Sequence, residues 1–327
     1  MSTYQAEVSS RAVVFRAPRS IEVTRAPVPA PGAGQVRVRL EGCGVCGSNL
    51  PVWEGRPWLS YPLYPGAPGH EGWGRIDAVG EGVTDLAVGE RVAMVSYNAY
   101  ADYDLADADA VVKLPASLDG QPFPGEALGC VMNIFRRSGI RSGQTVAIVG
   151  IGFLGAALCA LAAGSGARVI AISRREFALG MAERLGARAV VRLSDPARSV
   201  REVRRIVGAA GCERVIEAVG TQEALDIASE LTGIRARLII AGYHQDGPRR
   251  IDLQQWNLRG LDVINAHERD VRQYRRGLQE AVEQVAGGRF DPSCLYTHTF
   301  ALEEASEAFA ALSSRPPGFL KALITCT

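Results

Sequence analysis

The run TVAIVGIGFLG, residues 145–155, decides the fold class of this chain. Thr145 to Val149 is a short apolar run closed by glycine, which reads as a buried strand. Leu154 to Ala163 follows as an apolar stretch of helical length. Between them Gly150, Gly152 and Gly155 fall at the spacing of a phosphate-binding turn. The first glycine makes the tight turn, the second lets the backbone approach a pyrophosphate, and the third lets helix and strand pack closely. The helix start adds unpaired N–H groups for phosphate oxygens. A dinucleotide held by Gly150, Gly152, Phe153, Leu154 and Gly155 is the expectation. A glycine-rich turn with no ligand is the bland alternative, and the strand-turn-helix context disfavours it.

The next strand, Arg168 to Ile172, ends in Ser173-Arg174-Arg175. An acidic residue there would grip the adenosine 2′-hydroxyl of NAD. A hydroxyl and two guanidiniums instead suit a 2′-phosphate, because arginine meets phosphate oxygens bidentately. NADP(H) is therefore the expected cofactor, with NAD(H) the alternative if the two arginines are only a solvated loop.

Outward from this motif the texture alternates. Phe177 to Leu185 reads as helix, and Arg214 to Glu217, Arg237 to Ile240 and Leu261 to Asn265 read as strands, which predicts a parallel, doubly wound sheet. The first third differs. Ala12 to Phe15, Gln35 to Leu40, Trp73 to Val79 and Arg91 to Val95 are short strand-like runs punctuated by proline and glycine. From Tyr296 the tail reads as strand, helix (Leu302 to Leu312) and a last strand, Ala322 to Thr325.

In the β-rich third lie Cys46-Gly47-Ser48-Asn49 and Gly69-His70-Glu71. A cysteine and a histidine so far apart cannot share one helix, but a fold can bring them to one ion. Thiolate with imidazole suits zinc, and a catalytic zinc takes three protein ligands and keeps one position open. Cys43 and Cys46 form a C-x-x-C pair, yet no second pair lies near to make a zinc ribbon, and no thioredoxin-like unit surrounds them. Cys46 is taken as a ligand and Cys43 as a small buried residue.

Bulk properties exclude other classes. At 327 residues the chain has room for about two domains, and 47% hydrophobic with 22% charged residues is ordinary for a globular protein. A net charge of +1 offers no electrostatic case for nucleic acid or an anionic membrane. Of 36 basic residues only Lys113 and Lys321 are lysines, a bias read as genomic. Met1 to Ser10 carries no export pattern, and a cytoplasmic, reduced setting is expected for the seven cysteines. The uncharged stretch Val146 to Ala167 is long enough for a membrane span, but its glycines already have a better explanation.

With these motifs the chain resembles the zinc-dependent alcohol/polyol dehydrogenase branch of the medium-chain dehydrogenase/reductase superfamily. Gly69 to Gly74, with Gly80 and Val83, is the most specific part, and Cys46-Gly47-Ser48, Glu217-Ala218-Val219-Gly220 and Ala241-Gly242 also match. The resemblance covers nearly the whole chain. It implies an α/β protein: a GroES-like catalytic domain (1–123 and 296–327) interrupted by a Rossmann domain (124–295). It implies hydride transfer between an alcohol, secondary by preference, and a nicotinamide cofactor. It places Ala218, Val219, Gly242 and Cys130 against that cofactor. Glu126 looks like the third zinc ligand of the polyol branch, preferred here over Cys130 one helical turn later. By the same resemblance Ser48 carries the alcohol proton and Glu71 tunes the metal or displaces its water, with a structural ion pair as the alternative for Glu71.

Three departures stand out. Asn49 replaces an aspartate that orients the zinc histidine, and Pro51 replaces a histidine that ends a proton relay. Val95 to Asp109 lacks the cysteines of the structural-zinc lobe, so one zinc per subunit is expected. Trp53, Trp58, Tyr61 and Tyr64 lie on the loop between the two ligand runs and are candidates for a substrate wall; packing of that loop onto its own domain is the alternative. A small-molecule alcohol or carbonyl partner and a homodimer or homotetramer paired through Leu261 to Asn265 complete the expectation. The rivals are a zinc-free reductase of quinones or activated double bonds and a non-catalytic dinucleotide-binding protein.

Overall fold

The computed structural model describes residues 9–326. Most of the Met1 to Ser10 run read for an export pattern lies outside the described residues. Packing divides the chain into two units: one runs to Gly129 and resumes at Arg269, and the other is Cys130–Glu268. Helix Gly125–Ser138 carries the chain from the first to the second. The boundaries expected from sequence, 123/124 and 295/296, sit elsewhere chiefly at the second crossover. Helix Val271–Ala286 belongs with the first unit, because Leu278 packs so close to Gly125 and Gly129 that neither position has room for a Cβ.

The second unit is a six-stranded sheet whose strand pairs are all parallel. Across the sheet run Ala189–Arg192, Arg168–Ser173, Thr145–Val149, Cys212–Glu217, Thr232–Ile240 and Asp262–Asn265. In chain order that is third, second, first, fourth, fifth, sixth. Val146 to Val149 and Val169 to Ile172 are buried without interruption, as expected for strands covered by helices on both faces. Helices Pro196–Val207, Gln222–Leu231 and Leu253–Arg259 start on side-chain caps from Asp195, Thr221 and Asp252. The strand order reverses between Thr145–Val149 and Cys212–Glu217. Sheets of this kind bind ligands at that reversal, outside the carboxyl ends of the strands. No helix among the described residues is long and apolar enough to cross a membrane.

The first unit holds a seven-stranded sheet and a two-stranded hairpin, Ser9–Ala17 with Ser20–Pro27. The sheet runs Tyr296–Ala301, Lys321–Thr325, Gln35–Val45, Gly72–Val79, Arg91–Met94, Val111–Lys113, with Tyr103–Asp107 also on Gln35–Val45. Two pairings matter for function. Gln35–Val45 is antiparallel to Gly72–Val79 with Cys43 opposite Gly72, and Lys321–Thr325 is antiparallel to residues 42–45 of the same strand. The core beneath is aromatic: Phe309 meets Phe15 edge-on at 4.9 Å, Tyr100 edge-on at 5.5 Å and Trp53 face-on at 6.0 Å. The tail helix begins later than expected, at Ala305, because Leu302–Glu304 forms a tighter 3-10 turn.

Candidate active site

Strand pairing brings the two ligand runs together. Cys46 lies just past the end of Gln35–Val45, and His70 just before the start of its antiparallel partner. The ligand atoms of Cys46, His70 and Glu71 all fall within 4.8 Å of one another. Glu126, in the first turn of Gly125–Ser138, places a carboxylate oxygen 4.0 Å from His70 Nε2. Sulfur, nitrogen and carboxylate donors gathered in this way are the kind that would hold a zinc ion.

The histidine is already oriented for that task. Its Nδ1 lies 2.9 Å from the Pro68 carbonyl, which can only accept, so Nδ1 carries the proton and Nε2 turns its lone pair toward the other donors. Desolvation works against charging this imidazole, but the Cys46 sulfur and the Glu126 and Glu71 carboxylates outweigh it and raise the His70 pKa well above its ordinary value. An anionic pocket of this kind favours a cation. The donor set of sulfur, nitrogen and oxygen thus fits zinc.

Glu71 is fully buried and has its own cation. Lys321 Nζ donates to Glu71 Oε1 at 2.7 Å and lies 2.5 Å from Oε2. Burial would lower the Lys321 pKa, yet Glu71, Cys46 and Glu126 together raise it. Gly44 makes room, since a Cβ there would lie 1.8 Å from Glu71 Oε2. Nothing in the local pattern marked Lys321. The one signal available was its survival as lysine in a chain that uses arginine almost everywhere.

The neighbours depart from expectation in two places. Asn49 does not orient His70; its Oδ1 accepts from the Tyr100 hydroxyl at 2.8 Å, while the Pro68 carbonyl takes the imidazole N–H. Trp53 is a core residue stacked on Phe309, not a wall open to substrate. Tyr61 is half-buried and donates to the Val52 carbonyl, whereas Trp58 and Tyr64 stay exposed. Pro51 is buried in the first turn of the short helix Leu50–Glu54 and offers no proton-carrying group. Ser48 Oγ donates to Cys46 Sγ at 3.1 Å, within reach of the same small space. Cys43 is buried, its thiol donates to the Gly44 carbonyl at 3.4 Å, and burial with Glu71 nearby pushes its pKa well up, so it stays a thiol.

In the second unit the glycine turn has the shape its residues demand. Gly150 sits at φ +99°, and a Cβ at Gly155 would lie 2.0 Å from the Gly150 carbonyl oxygen. A Cβ at Gly152 would meet nothing within 4 Å, so open space faces the start of helix Phe153–Gly164. That space suits a pyrophosphate. Ser173 is buried at the end of its strand and its Oγ accepts from Arg175 N. Arg175 reaches back to the Ile151 carbonyl at 3.1 Å, and exposed Arg174 pairs with Glu223 at 2.5 Å. Ala218 and Val219 follow the fourth strand and Gly242 the fifth, where a Cβ on Gly150 would strike Val219. Cys130 opens the second unit, one turn after Glu126 on its helix.

The family model for the alcohol dehydrogenase GroES-like domain matches residues 32–130, and that for zinc-binding dehydrogenase matches 154–286. The 2-dehydro-3-deoxy-L-galactonate 5-dehydrogenase of Pseudoalteromonas atlantica is 27% identical over 94% of this chain and 96% of its own. The 5-exo-hydroxycamphor dehydrogenase of Pseudomonas putida is 29% identical over 91% and 94%. A zinc-binding dehydrogenase from Sinorhizobium meliloti 1021, solved bound to NADP, superposes with a TM-score of 0.83 at 26% identity, covering 98% of this chain and all of that one. The chain belongs to the zinc-dependent alcohol dehydrogenase branch of the medium-chain dehydrogenase/reductase superfamily, oxidoreductases that interconvert alcohols with ketones or aldehydes by hydride transfer.

Proposed function

We propose that this enzyme holds one zinc through Cys46, His70 and Glu126, prefers NADP(H), and acts on a secondary alcohol and its ketone in the cytoplasm. The observation that carries this reading is the cluster itself, in which an oriented imidazole, a sulfur and two carboxylates surround one small space. When bound, zinc supplies Lewis acidity at the substrate oxygen. Lys321 and a divalent ion together balance the Cys46 thiolate and the Glu71 and Glu126 carboxylates, so the site closes near neutrality. In this reading Ser48 takes up the alcohol proton, a role supported by its hydrogen bond to Cys46. With proline at 51, no side chain at that position would carry the proton onward. The hydroxyls named in the two relatives above sit on secondary carbons, which supports the substrate class.

Cofactor choice follows from Ser173, Arg174 and Arg175 and from the NADP bound to the Sinorhizobium relative. Steady-state kinetics should give a higher kcat/KM with NADPH than with NADH. Removing both guanidiniums, Arg174→Ala with Arg175→Ala, should erase about tenfold of that preference. A wild-type preference for NADH would refute the assignment.

Asp262–Asn265 is an exposed strand at the edge of its sheet, and such an edge invites pairing with a second copy. Light scattering should report a dimer or tetramer, and a monomer at micromolar concentration would rule this pairing out.

A further inference from the structure

Glu217 is fully buried at the end of strand Cys212–Glu217, at the reversal point of the sheet. Each of its oxygens is met. Oε1 accepts from the backbone N–H groups of Val219 and Gly220, both at 2.7 Å. Oε2 lies 2.9 Å from His244 Nε2. On the far side of that imidazole, Arg249 Nε lies 2.8 Å from His244 Nδ1. Arg249 Nη2 then donates to the Gly220 carbonyl at 2.8 Å and pairs with Asp246. The chain of contacts closes on itself. Glu217 holds the N–H of Gly220, Arg249 holds its carbonyl, and His244 joins the two.

This ring has one direction. A guanidinium Nε–H can only donate, so His244 Nδ1 must accept, and the imidazole proton sits on Nε2 facing the Glu217 carboxylate. The other tautomer would set two donors against each other at Arg249 and a bare nitrogen against the carboxylate. The ring also lies where three loops touch. A Cβ on Gly242 would fall 2.2 Å from Gly220 N, one on Gly220 2.6 Å from the Tyr243 carbonyl oxygen, and one on Gly150 2.3 Å from Val219 Cγ2. The backbone N–H groups of Ala241 and Gly242 both reach the Glu217 carbonyl at 2.8 Å. The loops after the first, fourth and fifth strands are thus locked at one height.

We propose that Glu217, His244 and Arg249 are positioning residues for the nicotinamide cofactor, fixing residues 218–220 and 241–244 in the arrangement that receives it. This rests on the reading of Ala218, Val219 and Gly242 as cofactor residues.

The test compares purified, zinc-loaded wild type with His244→Phe, His244→Gln and Glu217→Gln. NADPH and NADH binding are read by cofactor fluorescence, with steady-state kinetics and Tm alongside. His244→Phe should weaken Kd and raise KM for the cofactor about 10- to 100-fold, with a smaller fall in kcat. His244→Gln should restore binding to within about threefold, because its amide oxygen can accept from Arg249 while its N–H donates to Glu217. Glu217→Gln keeps an oxygen for Val219 and Gly220 but sets an amide N–H against His244 Nε2–H. It should therefore resemble His244→Phe. Cofactor Kd in folded His244→Phe equal to wild type, or His244→Gln as poor as His244→Phe, would overturn the proposal. Should the phenylalanine variant not fold, Glu217→Gln against His244→Gln decides the question in the same way. Wild type that bound neither dinucleotide would overturn the cofactor-site reading, and this role with it.

Discussion

Cys46→Ala is expected to lose its zinc and at least about a thousandfold in kcat/KM, roughly 4 kcal/mol of transition-state stabilisation. The thiolate is the one sulfur donor in the cluster, and the remaining imidazole and carboxylates make a weaker, more hydrated site. His70→Ala should behave alike. The informative comparison is between the two carboxylates. Glu126 lies 4.0 Å from His70 Nε2, whereas Glu71, within 4.8 Å of the Cys46 and His70 ligand atoms, is held by Lys321. Glu126→Gln should therefore lose zinc, and Glu71→Gln should retain most of it. Metal analysis of wild type should give one zinc per subunit. Unchanged zinc and activity in Glu126→Ala would sink Glu126 as third ligand; two equivalents in wild type would refute the single site.

Lys321→Met should destabilise the protein by about 3–5 kcal/mol, because it strands the Glu71 carboxylate in a place with no access to water. At this size that is a fall in Tm of about 4–7 °C. The effect comes from the uncompensated charge and not from the worth of the pair. A double variant, Lys321→Met with Glu71→Leu, should therefore recover more than half of the loss. Arginine at 321 should recover only part, since a planar fork does not replace a compact ammonium against two oxygens of one carboxylate. Thermal unfolding of the three variants checks this. Lys321→Met as stable as wild type would show that Glu71 finds another partner or is uncharged.

The elements that sequence reading located are those whose signal is local. The dinucleotide turn is legible because three glycines fall within six residues; the structure shows a demand for glycine at Gly150 and Gly155 and open space at Gly152. The strands of the parallel sheet are legible because burial on both faces leaves unbroken apolar runs such as Val146 to Val149. The tail helix starts at Ala305, later than its apolar pattern predicts, because the 3-10 turn Leu302–Glu304 carries the same apolar residues as a helical turn. Cys46 and His70 stood out by chemical type, although their proximity depends on a strand pairing that spans the whole loop between them.

Partner choice was beyond the sequence. It shows that Asn49, Trp53, Lys321 and His244 exist, and their chemical types limit what each could do. Whether Asn49 meets His70 or Tyr100, whether Trp53 faces substrate or Phe309, and whether Lys321 is a surface cation or the counter-ion of Glu71 depends on chain segments up to 256 residues away. Backbone periodicity is set by each residue's own steric and solvation preferences, which neighbours in sequence reveal. A buried polar side chain must instead find whatever donor or acceptor the packed sheets bring within about 3 Å, and only the tertiary structure decides which that is.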